Sequence, residues 1–400
     1  MTPKSNTSDV EVADIFKQYG EEFISGHRLT KRQHDVIHCI MNCRTATYGY
    51  HIDGCGHCGH IEKQFNSCRN RHCPKCQGIS RQKWVTARLN DLLCVPYYHV
   101  VFTLPHFLNE LISYNKKLIY ELLMDKSSET LMAFGRDPKW LGGEIGFYGV
   151  LHTWGQTLWP HVHVHFIVAG GALADTGQWI APNFGDKFLF PVHALSKVFR
   201  GKFIQGLKKA FYNNELAIAP NLLPSVGSAS QFECWIDTLA ARNWVVYCKP
   251  PFDDASQVVS YIGRYTHSVA ISNRRIVSAE NGKVRFLYKD YKRTRTKWYQ
   301  TTLDAREFIR RFIWHVLPKG FHKIRHYGFL ANGRCKQMVE YIRAVIDSAA
   351  DLIYKSFDYL TPCPKCAKGR MMPLAVINRV GIVVYAKLLA QKPAAAFDTS

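Results

Sequence analysis

The stretch HVHVHFIVAG, residues 161–170, decides the fold that we expect for this chain. Imidazole and apolar side chains alternate over its first five positions, and an apolar run follows. Because side chains alternate between the two faces of a β-strand, His161, His163 and His165 share one face of the predicted strand. The three positions span about 13 Å, too far for all to bind one cation directly. We therefore expect an adjacent pair to bind a metal ion, with a further ligand from a neighbouring element.

Other apolar runs predict the sheet around this strand. EIGFYGVLHTW (144–154) precedes it, and the short connection GQTLWP (155–160) favours antiparallel pairing. PYYHVVFTLP (96–105) and NWVVYCKPP (243–251) predict further strands, and segments with helical spacing lie between them. The predicted fold is α+β, with a central antiparallel sheet flanked by helices and preceded by a small helical, zinc-binding domain. We expect three segments: 1–90, helical and zinc-binding; 91–330, catalytic; and 331–400, a basic helix and a CxxC tail.

The stretch CGHCGHIEKQFNSCRNRHCPKC, residues 55–76, contains two C-x-x-C pairs. Two such pairs are typical of a tetrahedral four-thiolate zinc site, which is structural because it leaves no open position for a substrate. The predicted zinc ligands are Cys55, Cys58, Cys73 and Cys76. Cys68 and His72 are alternative ligands, or they form a second site together with His57, His60 or Cys43. We expect this region to have a scaffold and DNA-contact role.

A third C-x-x-C pair, Cys363 and Cys366, lies near the C-terminus. Two thiolates alone cannot close a zinc site. The sequence leaves open whether the pair is completed by His326, by Cys335 or by another chain, or is a turn with two free thiols.

The charge of the chain predicts a polyanionic partner. Fifty-two Lys and Arg residues against 31 Asp and Glu give a formal charge of +21. Aromatic residues alternate with basic ones in 287–300 and 318–328, a mixture typical of single-strand binding. The predicted DNA contacts are Arg69, Arg71, Lys75, Arg264, Lys292, Arg293, Arg295 and Lys297. No apolar run is long enough for a membrane span and no signal peptide is visible, so we expect a cytoplasmic protein.

Two tyrosines lie one helical turn apart in SYIGRYTHS, residues 260–268. Tyr261 and Tyr265 share a helix face, about 6 Å apart along the axis, and Gln257 lies one turn earlier. By itself this spacing is more typical of core packing.

Taken together, these motifs resemble the transposases of the insertion sequence 91 family, the two-tyrosine members of the HUH endonucleases. The resemblance covers nearly the whole chain. It implies that His163 and His165 are the metal-binding pair and that Tyr261 and Tyr265 are the nucleophiles. Val162 stands where the family usually has proline, and Phe166 where a small residue is common. The candidates for a further metal ligand are His161, Gln257, His152 and Gln156.

The resemblance also implies a mechanism. A catalytic Mg²⁺ or Mn²⁺ polarises the scissile phosphate of single-stranded DNA, and a tyrosine hydroxyl attacks to give a 5′-phosphotyrosine and a free 3′-OH. This chemistry suits rolling-circle-like transposition of a bacterial insertion sequence. The implied partners are single-stranded DNA at the element ends, target DNA and a second copy of the chain, at the nucleoid.

Two alternatives fit part of the pattern. A non-catalytic zinc-containing nucleic-acid-binding protein explains the charge and the cysteines, but not the histidine strand together with the tyrosine pair. A metal-dependent hydrolase that activates water explains the histidines and leaves no covalent adduct with DNA.

Overall fold

The computed structural model describes residues 10–182, 188–251, 257, 259, 263, 266, 270–290, 297–346 and 360–386. Six residues predicted above to act on DNA lie outside these ranges: Tyr261, Tyr265, Arg264, Lys292, Arg293 and Arg295. The helices of the described residues are α1 (Val12–Gly26), α2 (Lys31–Met41), α3 (Gly78–Asn90), α4 (Asn109–Tyr114), α5 (Lys116–Arg136), α6 (Val192–Tyr212), α7 (Leu223–Val226), α8 (Ala229–Ala240), α9 (Ala305–Trp314) and α10 (Cys335–Val345).

The strands of the described residues form four sheets. They are β1 (Tyr50–Cys55), β2 (Ile61–Phe65), β3 (Tyr97–Thr103), β4 (Gly146–Trp154), β5 (Pro160–Ala169), β6 (Ala172–Leu173), β7 (Trp179–Ile180), β8 (Val246–Cys248), β9 (Ile276–Glu280), β10 (Lys283–Lys289), β11 (Trp298–Asp304), β12 (Ile324–Gly328), β13 (Met371–Ile377) and β14 (Val383–Ala386). The paired strands are antiparallel throughout. This arrangement of helices and antiparallel sheets confirms the predicted α+β class.

The largest sheet has the strand order β12-β4-β5-β3-β8, so the histidine strand β5 is central. One face of this sheet is apolar: Phe102, Phe147, Val164 and Phe166 are buried in a core that is completed by helices α5 and α6. The opposite face carries the histidines, because they occupy the alternate positions of β5. A hydrophobic strand can therefore present a row of imidazoles without disturbing its core.

A second core joins the N-terminal helices to the sheet β11-β10-β9. Phe16 of α1, Ile37 of α2 and Phe308 of α9 are buried together with Phe286 of β10. Leu158, in the connection between β4 and β5, is buried in the same core. The N-terminal helices are therefore packed against the loop that closes the histidine hairpin.

The four-stranded sheet, β14-β13-β1-β2, brings the N-terminal strands β1 and β2 together with the C-terminal strands β13 and β14. Strand β13 pairs with β1, from Tyr50 opposite Ile377 to Cys55 opposite Met371. The C-terminal C-x-x-C thus lies beside the N-terminal cysteine region, while the division of the chain at residues 90 and 330 remains a prediction. Across the described ranges, no helix is both long and apolar enough to span a bilayer.

Candidate metal centre and its surroundings

Three buried histidines converge on the polar face of the central sheet. The register of β4 and β5 places His152 directly opposite His163, and Val150 opposite His165. One ring nitrogen from each of the three histidines lies within 4.8 Å of the others. His152 Nδ1 and His163 Nε2 are 2.9 Å apart. Two ligands of one ion, each about 2.1 Å from it and at right angles, would lie about 3 Å apart. The cluster therefore has the dimensions of a metal site.

The surroundings orient these rings and keep them neutral. His163 Nδ1 donates a hydrogen bond to the carbonyl oxygen of His161 at 2.7 Å, which leaves Nε2 as its ligand atom. His165 Nδ1 lies 2.8 Å from His99 Nε2 on strand β3, so His99 supports it from a second layer. Burial lowers the pKa of His152, His163 and His165 well below the usual imidazole value. Neutral imidazole is the form that binds a metal ion.

The other candidates for a third ligand lie elsewhere. His161 Nδ1 is 2.8 Å from His106 Nε2, and His161 is not among the three clustered histidines. Burial, followed by the proximity of His106, lowers the pKa of His161 to about 4. Gln257 is exposed. The side-chain oxygen Oε1 of Gln156 accepts a hydrogen bond from the backbone N–H of Lys289 at 3.4 Å. Geometry thus favours His152, which the sequence had left as one of four candidates.

Val259 lies close in the sequence to the two tyrosines and packs on this same face. Val259, two residues before Tyr261 in the sequence, is fully buried in a cluster with Val150 and Ile167. Both partners belong to the face of the sheet that carries the histidines. A Cβ atom added to Gly263 would lie 2.3 Å from Val85 Cγ2 of α3, so Gly263 is in close contact with that helix.

The cysteines form two clusters, and the single site predicted from Cys55, Cys58, Cys73 and Cys76 is wrong. One cluster consists of Cys43, Cys68, Cys73 and Cys76, and the other of Cys55, Cys58, Cys363 and Cys366. The hairpin β1–β2 carries the first C-x-x-C pair to the sheet shared with β13, away from the second pair. His57 and His60 belong to neither cluster, and His326 and Cys335 do not complete the C-terminal pair.

The first cluster is a compact four-thiolate arrangement. Cys76 Sγ lies 3.3 Å from Cys43 Sγ and 3.5 Å from Cys68 Sγ. Hydrogen bonds with Cys68, first, and with Cys73 lower the pKa of Cys43 to about 7. The sequence had offered Cys43 and Cys68 only as alternatives, because neither belongs to a C-x-x-C pair.

His72 contacts the backbone near Leu317 and is not a member of the cysteine cluster. Its Nε2 accepts a hydrogen bond from the backbone N–H of Leu317 at 3.0 Å, and its Nδ1 lies 3.1 Å from Asn70 Oδ1. Burial and the nearby cation of Arg71 lower its pKa to about 2, so the ring is neutral. The ligand role considered for His72 from the sequence is therefore not supported.

A basic cleft lies next to this contact. It has a volume of about 530 Å³, and its lining includes Arg69, Arg71, His322, Lys323 and Thr266. Arg71 Nη1 donates to the carbonyl oxygen of Phe321 at 2.7 Å. Burial, with a further effect of Arg71, lowers the pKa of Lys323 to about 7. Two of the predicted DNA contacts, Arg69 and Arg71, thus share one cleft.

The remaining predicted DNA contacts in the described residues are separate from that cleft. Lys75 forms an ion pair with Glu11, and Lys297 is exposed at the start of the segment that leads into β11.

Comparisons with known proteins agree with this architecture. A family model described as "Transposase zinc-binding domain" matches residues 15–104, and one described as "Putative transposase" matches residues 146–338. "Putative transposase y4qJ" of Sinorhizobium fredii is 43% identical over 389 residues, which cover 93% of this chain and 97% of that protein. "Transposase for insertion sequence element IS801" of Pseudomonas savastanoi pv. phaseolicola is 29% identical over 309 residues, 76% of this chain and 71% of that protein.

Fold, cysteine clusters and matches together define a DNA-processing enzyme with an N-terminal structural zinc-binding domain. The chain belongs to the insertion sequence 91 family of transposases. The family expected from the sequence motifs is thereby confirmed.

Proposed function

We propose that this transposase nicks and rejoins single-stranded DNA at the ends of its insertion sequence, using tyrosine nucleophiles beside a divalent metal ion. The proposed metal ligands are His152, His163 and His165, and the proposed nucleophiles are Tyr261 and Tyr265. The observation that carries the proposal is the convergence of three buried, neutral imidazoles on one face of the central sheet. The packing of Val259 on that face supports a position of the tyrosine segment beside them.

The residues fit a divalent cation. A bound Mg²⁺ or Mn²⁺ would act as a Lewis acid on the scissile phosphate and fix its orientation. Three imidazole ligands favour Mn²⁺ over Mg²⁺, because nitrogen ligands suit transition metals better than the harder Mg²⁺. Burial contributes in a second way, since a site that excludes water strengthens every electrostatic interaction with the phosphate.

Attack by a tyrosine hydroxyl would conserve the free energy of the cleaved phosphodiester bond. In the proposed step, the phenolic oxygen forms a bond to phosphorus as the bond from phosphorus to the 3′ oxygen breaks. The phenolic proton is lost and the leaving 3′ oxygen takes up a proton. Because one phosphodiester is exchanged for another, the reverse attack by a 3′-OH rejoins DNA without ATP. Two tyrosines would allow one strand to remain linked while a second strand is cut.

The basic cleft offers a path for the DNA strand. Arg69 and Arg71 lie there together with Lys323, whose backbone carbonyl accepts a hydrogen bond from Leu151 N–H, one residue before His152. A phosphate backbone bound in this cleft would run towards the histidine cluster. We expect Arg69→Gln to weaken binding of single-stranded DNA and to reduce the slope of log K against log salt by about 0.7. Lys17→Gln, an exposed cation on α1, is the matched control and should change neither.

Covalent trapping tests the proposed mechanism. Labelled single-stranded DNA carrying an element end is incubated with the full chain and Mn²⁺, and the products are separated on a denaturing gel. A DNA–protein adduct is expected with the unaltered chain, and Tyr261→Phe and Tyr265→Phe should each remove one of the linkage steps. Tyr114→Phe, at an exposed tyrosine on α4, is the matched control.

Substitution of the histidines separates cleavage from binding. His163→Ala and His165→Ala should abolish nicking while DNA affinity is retained, because the net charge at neutral pH is unchanged. Nicking without any adduct would instead indicate a hydrolase that activates water. DNA binding with neither nicking nor an adduct would indicate a non-catalytic binding protein.

A further inference from the structure

The second cysteine cluster has the dimensions of a tetrahedral zinc site. Cys55 Sγ lies 3.8 Å from Cys366 Sγ, and Cys58 Sγ lies 3.7 Å from Cys363 Sγ. Four sulfurs placed about 2.3 Å from a central zinc ion have a tetrahedral edge of about 3.8 Å. A disulfide would need sulfurs about 2.05 Å apart. The spacing therefore matches shared coordination and not a covalent bond between the sulfurs.

The two C-x-x-C segments share two backbone features, although they are far apart in the sequence. In the first, Gly59 has a φ of 68°, and its N–H donates to the carbonyl oxygen of Cys55 at 3.0 Å. In the second, Ala367 has a φ of 55°, and its N–H donates to the carbonyl oxygen of Cys363 at 2.9 Å. The left-handed residue after the second cysteine lets each turn fold back over its own sulfurs. An alanine in this strained conformation indicates that the surroundings require the turn.

Backbone donors also face the sulfurs. The N–H of His57 donates to Cys55 Sγ, and the N–H of Gly369 donates to Cys366 Sγ, both at 3.4 Å. Such donors stabilise the thiolate form that a metal ion requires. Gly369 approaches closely as well, because a Cβ atom added there would lie 2.3 Å from Cys55 Sγ. The backbone of the C-terminal segment is thus fitted around the N-terminal cysteine.

The four-stranded sheet β14-β13-β1-β2 has almost no hydrophobic core of its own. Its cluster of buried side chains consists of Cys55, Cys363 and Met371, with Cys366 packed against it. All four residues of strand β14 are exposed. Units of this size usually need a metal ion or a disulfide, because they cannot bury enough apolar surface. Here the cysteines occupy the position of the core.

We propose that Cys55, Cys58, Cys363 and Cys366 bind a second structural zinc ion, separate from the one at the Cys43 cluster. This ion would join the N-terminal region to the C-terminal strands and hold the sheet together. The matched zinc-binding domain ends at residue 104, so it does not include Cys363 or Cys366. The proposal is independent of the nicking mechanism, since it concerns only how the ends of the chain are held.

The number of bound zinc ions tests the proposal. Zinc is measured by inductively coupled plasma mass spectrometry in the purified full chain carrying His163→Ala, which removes one of the three clustered imidazoles and so weakens zinc binding at the histidine cluster. We expect two zinc ions per chain, and one after Cys363→Ser with Cys366→Ser. The matched control, Cys94→Ser with Cys234→Ser, alters two exposed cysteines outside both clusters and should retain two. One zinc ion in the parent chain, or two after the Cys363 and Cys366 changes, would overturn the proposal.

A second measurement uses the unaltered chain and does not depend on the folding of a variant. Cys58 is exposed, so burial cannot protect it from a thiol-alkylating reagent. We expect Cys58, Cys363 and Cys366 to be unreactive in the zinc-loaded chain and to become reactive together when a strong chelator is added. The exposed Cys94 should react under both conditions. Alkylation of Cys58 at the same rate as Cys94 before chelation would show that no metal ion is bound there.

Discussion

Replacement of His152 by alanine should weaken Mn²⁺ binding more than any change at His161. His152 contributes a ring nitrogen to the cluster with His163 and His165, whereas the ring of His161 faces His106. The carbonyl oxygen that orients His163 belongs to the backbone of His161 and is retained in His161→Ala. The two substitutions therefore remove the same chemical group from the same sheet face but with different consequences for the metal site.

The expected magnitudes form a graded series. Loss of a partner that only orients a ligand typically lowers metal affinity by about 10- to 100-fold, which is the range that we expect for His99→Ala. His152→Ala removes a direct ligand and should exceed about 100-fold, or about 2.8 kcal/mol at 1.4 kcal/mol per factor of ten. His161→Ala should cost less than about tenfold.

The assay is a titration of free Mn²⁺ by electron paramagnetic resonance in the absence of DNA, followed by nicking at saturating Mn²⁺. Circular dichroism checks that each variant is folded, and His152→Gln keeps most of the volume of the side chain together with an oxygen ligand. We expect His152→Gln to lie between His152→Ala and the unaltered chain. If His152→Ala bound Mn²⁺ with unaltered affinity while His161→Ala lost it, the assignment from ring geometry would be refuted.

Two further predictions concern the stability of the sheet that carries the site. Burial lowers the pKa of His315 to about 3, below its value of about 6.5 in the unfolded chain. The contribution of neutral His315 to the stability of the folded chain is therefore fully present above pH 6.5 and is lost as the pH falls towards 3. His315→Gln should therefore flatten the fall in the free energy of unfolding over this window by about 1.4 kcal/mol per pH unit, as measured by urea denaturation from pH 4 to 7. Gly149→Ala should destabilise the chain by about 1–3 kcal/mol, because its Cβ would lie 2.6 Å from Phe166 Cε1. Thermal denaturation of the double variant Gly149→Ala with Phe166→Leu should show less than the sum of the single effects, and additive losses would contradict the clash.

The sheet and its histidine strand could be predicted because both depend on local patterns. Alternation along residues 161–165 determines which side chains share a face, and the short connection 155–160 favours an antiparallel hairpin. The proposed third ligand could have been found by the same reasoning. A hairpin centred on that connection places His152 opposite His163, which is the register observed. Without the register of the hairpin, the sequence does not distinguish His152 from the other candidates.

The grouping of the cysteines could not be predicted in the same way. Zinc coordination depends on where the ligand atoms lie in space and not on their order along the chain, so two neighbouring C-x-x-C pairs need not share one ion. Here the strand pairing of β1 with β13 brings Cys363 to Cys58, more than 300 residues away. Cys43 and Cys68, which lack the C-x-x-C spacing, complete the other cluster. The long-range pairing of strands β1 and β13 decides between these arrangements. Residues 50–55 and 371–377 carry no distinctive sequence signal for that pairing.

The first cysteine cluster has a structural connection to the histidine cluster. His72, adjacent to Cys73, accepts a hydrogen bond from Leu317 N–H, and Arg71 donates to the carbonyl oxygen of Phe321. The same loop leads to Lys323, whose carbonyl oxygen is bound by the N–H of Leu151 in strand β4.

Zinc binding at the Cys43 cluster would therefore hold the loop 317–323 against the strand that supplies His152. A cysteine that is bound to a metal ion is less mobile than a free one. Zinc binding would therefore hold in place the two residues before Cys73 and the contacts that they make. The loop also lines the basic cleft, so the same anchor acts on the proposed DNA path and on one side of the histidine cluster. A zinc ion that takes no part in the chemistry would in this way position the groups that do, which gives a physical reason for joining a zinc-binding domain to a transposase sheet.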